Sequence, residues 1–119
     1  MPDDRRALGD AGERAVADWY EASGYTVLDR NWRCRDGELD LVVARGSVVV
    51  FCEVKTRRSD AFGQPFEAVT LAKQRRLRTL ATRWLAEHPG GARDVRFDVA
   101  AVRMSRTGDP STEVIEAAF

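Results

Sequence analysis

Two valine-rich stretches, Glu38 to Ala44 and Ser47 to Lys55, are separated only by Arg45-Gly46. Such a pair reads as a tight β-hairpin. With Arg45 and Gly46 as the loop, Ala44 faces Ser47, Asp40 faces Phe51 and Glu38 faces Glu53. Side chains alternate faces along a strand, so one face carries Leu39, Leu41, Val43, Val48, Val50, Cys52 and Val54, without a polar residue. The other carries Val42, Ala44, Val49 and Phe51 beside Glu38, Asp40, Glu53 and Lys55. A hairpin apolar on both faces belongs in the middle of a sheet that is covered on both sides.

The flanking sequence supplies the cover. From Asp4 to Ser23, Leu8, Ala15, Val16, Trp19 and Tyr20 fall at helical spacing, and Gly24 marks the stop. Tyr25 to Trp32 reads as a short strand that ends at the turn Asp36-Gly37. Beyond a loop with Gly63 and Pro65, a second helix spans Thr70 to Glu87 on the stripe Leu77, Leu80, Ala81, Trp84 and Leu85, and ends at Pro89-Gly90-Gly91. Val95 to Met104 alternates as a strand, Arg106 to Pro110 reads as a surface loop, and Glu113 to Phe119 is a weaker last strand. The order predicts a single domain over residues 1–119: an α/β sandwich with a mixed central sheet of four to five strands flanked by helices.

No run of eighteen apolar residues occurs, and the chain opens Met1-Pro2-Asp3-Asp4, so the expectation is a soluble cytoplasmic protein without membrane association. Cys34 and Cys52 have no Cys or His at metal-ligand spacing, which argues against a zinc site. Basic and acidic residues balance at 19 each, so total charge makes no case for a polyanionic partner. Distribution does more: residues 1 to 24 lean acidic, whereas Lys55, Arg57 and Arg58 cluster, and Lys73, Arg75, Arg76, Arg78 and Arg83 have no acid among them.

The hairpin register brings Glu38, Asp40, Glu53 and Lys55 to one face at the strand ends of a largely buried sheet. Carboxylates crowded there repel one another or take up protons unless a cation neutralises them. Mg²⁺ suits the place, because it prefers hard oxygen ligands and keeps waters that a phosphate can displace. Lys55, two residues beyond Glu53, is placed to orient or deprotonate such a water. The plainer alternative is an ion-paired cluster in which Lys55 only neutralises the acids. Against it stands Gly37-Glu38-Leu39-Asp40, in matching register ahead of Glu53-Val54-Lys55.

Gly37-Glu38-Leu39-Asp40, the valine-rich hairpin and Glu53-Val54-Lys55-Thr56-Arg57 together resemble the D…(D/E)-x-K signature of restriction-endonuclease-like nucleases. More narrowly, the chain resembles the YraN-like family of small bacterial proteins, which is similar to archaeal Holliday junction resolvases. The match runs from Leu8-Gly9 and Gly12-Glu13, through Gly24-Tyr25 and Arg30-Asn31-Trp32, to Phe62-Gly63 and Ala68-Val69. The resemblance implies a restriction-endonuclease-like fold and a Mg²⁺- or Mn²⁺-dependent endonuclease acting on nucleic acid, with branched DNA as the analogous substrate. It also implies metal binding by Asp40, Glu53 and Glu13, catalysis by Lys55, and a homodimer, as resolvase-like enzymes cut two strands. Glu38 is left without a fixed role. Glu13 sits at the edge of its helix's apolar stripe near Val16 and Tyr20, where it is equally an ordinary acid favoured near a helix start.

Substrate contacts are expected from Thr56, Arg57 and Arg58, which continue from the Glu53–Lys55 strand, and from Arg75 and Arg76 on the second helix. A solvated helix face explains those helix arginines as well as a phosphate track does. Gln74, on the core side of the first helical turn, needs hydrogen-bond partners and is a candidate to reach the site. Two alternatives to an enzyme stay open: a non-catalytic nucleic-acid-binding module on a nuclease fold, and an interaction protein whose ion cluster is structural.

Overall fold

A computed structural model describes residues 4–58, 69–90 and 93–119. Helix α1 (Asp4–Ala22) precedes strands β1 (Thr26–Cys34), β2 (Gly37–Arg45) and β3 (Val48–Arg58). Helix α2 (Leu71–Glu87), β4 (Asp94–Met104) and β5 (Pro110–Ile115) follow. The five strands form one sheet in the order β1-β2-β3-β4-β5. Only β3 and β4 run parallel; the other neighbours are antiparallel. This is the expected mixed α/β sheet, with α2 in the crossover that a parallel pair requires. Met1, Pro2, Asp3, the Gly63 and Pro65 loop, the Phe62-Gly63 and Ala68 parts of the resemblance, and Gly91 lie outside the described residues.

Each helix covers one face. On one, Val16, Ala17 and Tyr20 of α1 pack on Leu41, Val43, Val50, Cys52, Ala100 and Val102. On the other, Leu77, Leu80, Ala81 and Trp84 of α2 pack on Leu39, Val42, Val49, Phe51 and Phe97. The α2 stripe is the one read from sequence, whereas α1 adds Ala17 to its core face and leaves Leu8 out of it. Helix α1 ends as Gly24, at φ +89°, lets Gly24 N–H reach the Glu21 carbonyl and Tyr25 N–H reach the Tyr20 carbonyl. Helix α2 starts at Thr70, whose hydroxyl accepts the Lys73 N–H at 3.2 Å. Among the described residues no helix is long and apolar enough to cross a membrane.

The hairpin turn differs from the sequence reading. Arg45 pairs with Val48, so the loop is Gly46-Ser47. Gly46 takes φ +59°, the sign required at the first central position of a II′ turn, which suits the twist of the flanking strands. Leu41 then faces Cys52 and Val42 faces Phe51, and one further step puts Asp40, not Glu38, beside Glu53. The last strand also shifts: it begins at Pro110 and ends at Ile115, since an edge strand tolerates a proline at its start.

Asp98 is fully buried on the α1 side. The Tyr20 hydroxyl donates to it at 2.6 Å, Arg96 Nε and Nη2 donate at 2.9 Å each, and Ala117 N–H donates at 3.0 Å. These donors hold the charge, where an unpaired buried carboxylate would be strongly destabilising. They also tie α1 to β4.

Helix α1 comes close to β3 at Gly12. A Cβ there would collide with the Thr56 side chain, including its Cβ, which no rotamer change moves. Gly12→Ala is expected to destabilise the protein by ~1–3 kcal/mol through this overpacking. Urea unfolding of the two proteins measures it; an unchanged midpoint would show that the helix shifts freely.

Candidate metal centre

Strand alternation breaks at Asp40. Leu39 packs with Val42 on the α2 side, whereas Leu41 packs on the α1 side, so β2 changes its facing between them. This corrects the expectation that Leu39 shares a face with Leu41. The β2–β3 ladder ends at Leu41 and Cys52. Beyond it the Asp40 side chain bridges the fork, with Oδ2 accepting the Val54 N–H at 2.9 Å. A carboxylate thus stands where a backbone carbonyl would have been.

Across the sheet, Asn31 of β1 adopts φ +51°, a left-handed conformation that asparagine tolerates better than most residues. Oriented to donate, its amide nitrogen lies 2.8 Å from Glu13 Oε2 and 3.0 Å from Glu38 Oε1. Glu13 comes from α1, one residue past the Gly12 contact that brings the helix close. Carboxylate oxygens of Glu13, Glu38 and Asp40 fall within 4.8 Å of one another, a spacing that one small cation spans. Arg33 Nε approaches Glu38 at 3.3 Å from the rim.

The electrostatics are those of an acid cluster short of cations. Burial, the Glu53 carboxylate, Glu13 and Glu38 push the Asp40 carboxyl up to about 7 against the opposing Val54 hydrogen bond. Burial, then Glu38, Asp10 and Glu53, push Glu13 up to about 7 as well, with Arg33 opposing. The donor set is all oxygen and hard, which fits Mg²⁺ or Mn²⁺ and does not suit zinc.

Of the residues named from sequence, the structure brings Asp40 and Glu13 together, with Glu38 beside them. Glu53 is buried nearby, and its Oε1 accepts from Lys73 Nζ of α2 at 2.6 Å. Lys55 is half-buried on the same strand, two residues on, and so shares Glu53's face. Thr56 points toward α1 and packs on Gly12. Arg57 is half-buried and Arg58 exposed at the end of β3. Gln74 donates its amide to the Val69 carbonyl at 2.9 Å, closing its own helix start. Arg75 and Arg76 are exposed on α2.

Sequence reasoning missed two contributors. Asn31 entered only as part of a motif, and β1 mixes charged and apolar residues around it, so nothing local singled it out. Lys73 entered only as one of the basic residues of the second helix, and nothing local tied it to Glu53.

A cleft of about 900 Å³ opens on the acids between α1 and β1, lined by Glu13, Asn31, Glu38, Asp40 and Thr56 among others. Glu53 and Lys55 do not line it. The cleft is therefore the solvent side of the cluster, while Glu53 and Lys55 lie behind it.

The model of the uncharacterised protein family UPF0102 matches residues 12–102. The chain is 58% identical over 107 residues to the UPF0102 protein of Beutenbergia cavernae, covering 90% of this chain and 91% of that one. To the UPF0102 protein of Frankia casuarinae it is 53% identical over 113 residues, covering 95% and 96%. To that of Mycolicibacterium vanbaalenii it is 49% identical over 112 residues, covering 94% and 93%. These matches span the α1 contact, the hairpin and α2.

Proposed function

We propose that this chain, which belongs to the UPF0102 family, is a metal-dependent endonuclease that hydrolyses nucleic-acid phosphodiesters. The observation that carries the reading is the cluster of Glu13, Glu38 and Asp40 oxygens within 4.8 Å, with Glu53 close enough to raise Asp40. Acids this crowded are unfavourable in an apolar sheet, and a divalent cation relieves them. Glu13, Glu38 and Asp40 are the residues to hold it, with Asn31 orienting Glu13 and Glu38 and with Glu53, the ligand named from sequence, paired to Lys73 behind Asp40. When bound, a Mg²⁺ or Mn²⁺ ion supplies a Lewis acid for charge that develops on the phosphate oxygens.

The chain's own residues do the rest. Lys55, on Glu53's face, holds the attacking water and takes its proton. Val54 N–H fixes Asp40, so the carboxylate needs no reorganisation. Thr56, Arg57 and Arg58 remain the substrate contacts named from sequence, while Gln74 is engaged with the Val69 carbonyl and Arg75 and Arg76 lie outside the cleft lining. The similarity to Holliday junction resolvases supports DNA, and branched DNA in particular, cut by a pair of copies; membrane has no part in the reading.

The test is a screen of branched, flapped, single-stranded and duplex substrates with Mg²⁺ and with Mn²⁺. Cleavage of at least one, lost on chelation, is the expected result. A purified protein that cleaves none, yet binds nucleic acid equally with and without metal, replaces this reading by that of a binding module.

A further inference from the structure

Among the described residues, the acid cluster opens toward α1 and β1. Toward α2, Lys73 lies on Glu53, and Leu39, Val42 and Phe51 are sealed beneath Leu77, Leu80 and Trp84. Toward α1 and β1, Glu13, Glu38 and Asp40 line the cleft of about 900 Å³, a volume in the range of ordinary ligand sites. The described residues thus offer an approach to these carboxylates between α1 and β1.

The rim of that entrance is basic. Arg5, Arg6 and Arg14 come from α1, and Arg30 and Arg33 from β1, so five arginines face the four acids Asp10, Glu13, Glu38 and Asp40 before any divalent cation is added. Arg33 is drawn to Glu38. The side chains of Arg6, Arg14 and Arg30 make no hydrogen bond or ion pair among the described residues. On α2, by contrast, Arg78 stacks over Phe97 at 4.8 Å and Arg83 pairs with Asp36 at 2.6 Å. Those two are committed to the fold.

A positive rim around a negative floor weakens the floor's attraction for a bare cation and favours an anion that shares a divalent cation with the floor. A phosphodiester backbone is such an anion, and guanidinium groups are its usual partners. Resting on the nuclease reading, the geometry points to Arg14 and Arg30, with Arg6 beside them, as the phosphate track that leads the strand to the acids. The α1 segment, acidic by count, thus turns its basic side toward the cleft.

The experiment compares Arg14→Gln with Arg30→Gln against Arg75→Gln with Arg76→Gln, using fluorescein-labelled single-stranded and duplex DNA in Ca²⁺. Glutamine removes the charge without adding an acid beside the cluster, and thermal midpoints of both proteins check folding. The cleft pair is expected to lose about tenfold in affinity and to flatten the salt dependence by roughly two phosphate contacts, about 0.7 to 0.9 per contact in log–log slope. The α2 pair is expected to change affinity by less than about threefold. A cleft variant that keeps the wild-type slope while the α2 variant loses it overturns the track and leaves the nuclease reading standing. A wild type that binds neither probe overturns both.

Discussion

Lys55→Ala is expected to lower cleavage at least about a hundredfold, while binding measured in Ca²⁺ changes by less than about threefold. Lys55 shares Glu53's face and does not line the cleft proposed for the strand. Its proposed work is on the attacking water, so its loss is expected to fall on the transition state and to spare ground-state binding. The cleft arginines are proposed to touch phosphate in both states, and their loss is expected to lower binding and rate together. Single-turnover cleavage beside equilibrium binding separates the two patterns. If Lys55→Ala binds as poorly as it cuts, the lysine is a phosphate contact and the water-activating role is wrong.

Asp40→Asn is expected to raise the thermal midpoint of the metal-free protein at pH 8 and to abolish its response to Mn²⁺. Asp40 rises from 3.8 to about 7 on folding and Glu13 from 4.5 to about 7. Both folded values exceed the unfolded ones, so the folded state binds these protons more tightly. Stability from this source is complete below about pH 4 and is lost as pH climbs through about 7. Asparagine removes the charge at Asp40, relieves Glu13, and still offers an oxygen to the Val54 N–H. At pH 8 the variant should gain about 3–6 °C, the shift that ~1 kcal/mol produces in a domain of this size. Near pH 4 the two proteins should melt together. With saturating Mn²⁺ the wild type should rise by mass action and the variant should not. Equal Mn²⁺ responses in both proteins would remove Asp40 from the metal centre.

The face assignments of the hairpin were legible although the register was not. Moving the loop from Arg45-Gly46 to Gly46-Ser47 shifts each partner by two residues, which is the strand's own period. Val42, Phe51, Leu41 and Cys52 therefore kept their faces, and Asp40 gained Glu53 as its neighbour. The break at Leu39 was not legible, because alternation carries no sign of where a strand leaves its partner. Glu13's place on the helix stripe left it equally an ordinary helix acid, and the family resemblance is what brought it to the site. Asn31 depends on one left-handed residue in β1, and Lys73 meets Glu53 only because the α2 crossover returns that helix over the sheet. Both depend on tertiary placement, which local pattern does not encode.

Strand β3 joins β4 along its whole length, from Val48 with Asp94 to Arg58 with Met104. Every one of those partners is made after α2. As the chain leaves the ribosome, β3 therefore has a neighbour on one side only, and its other edge is a row of open N–H and C=O groups beside Val49, Val50, Phe51 and Cys52. Such an edge recruits strands from other copies. Its far end is different: Glu53, Lys55, Arg57 and Arg58 interrupt the apolar run with charge, as gatekeeper residues do. The same charged end that lies beside the acid cluster in the finished sheet guards the nascent one against its neighbours.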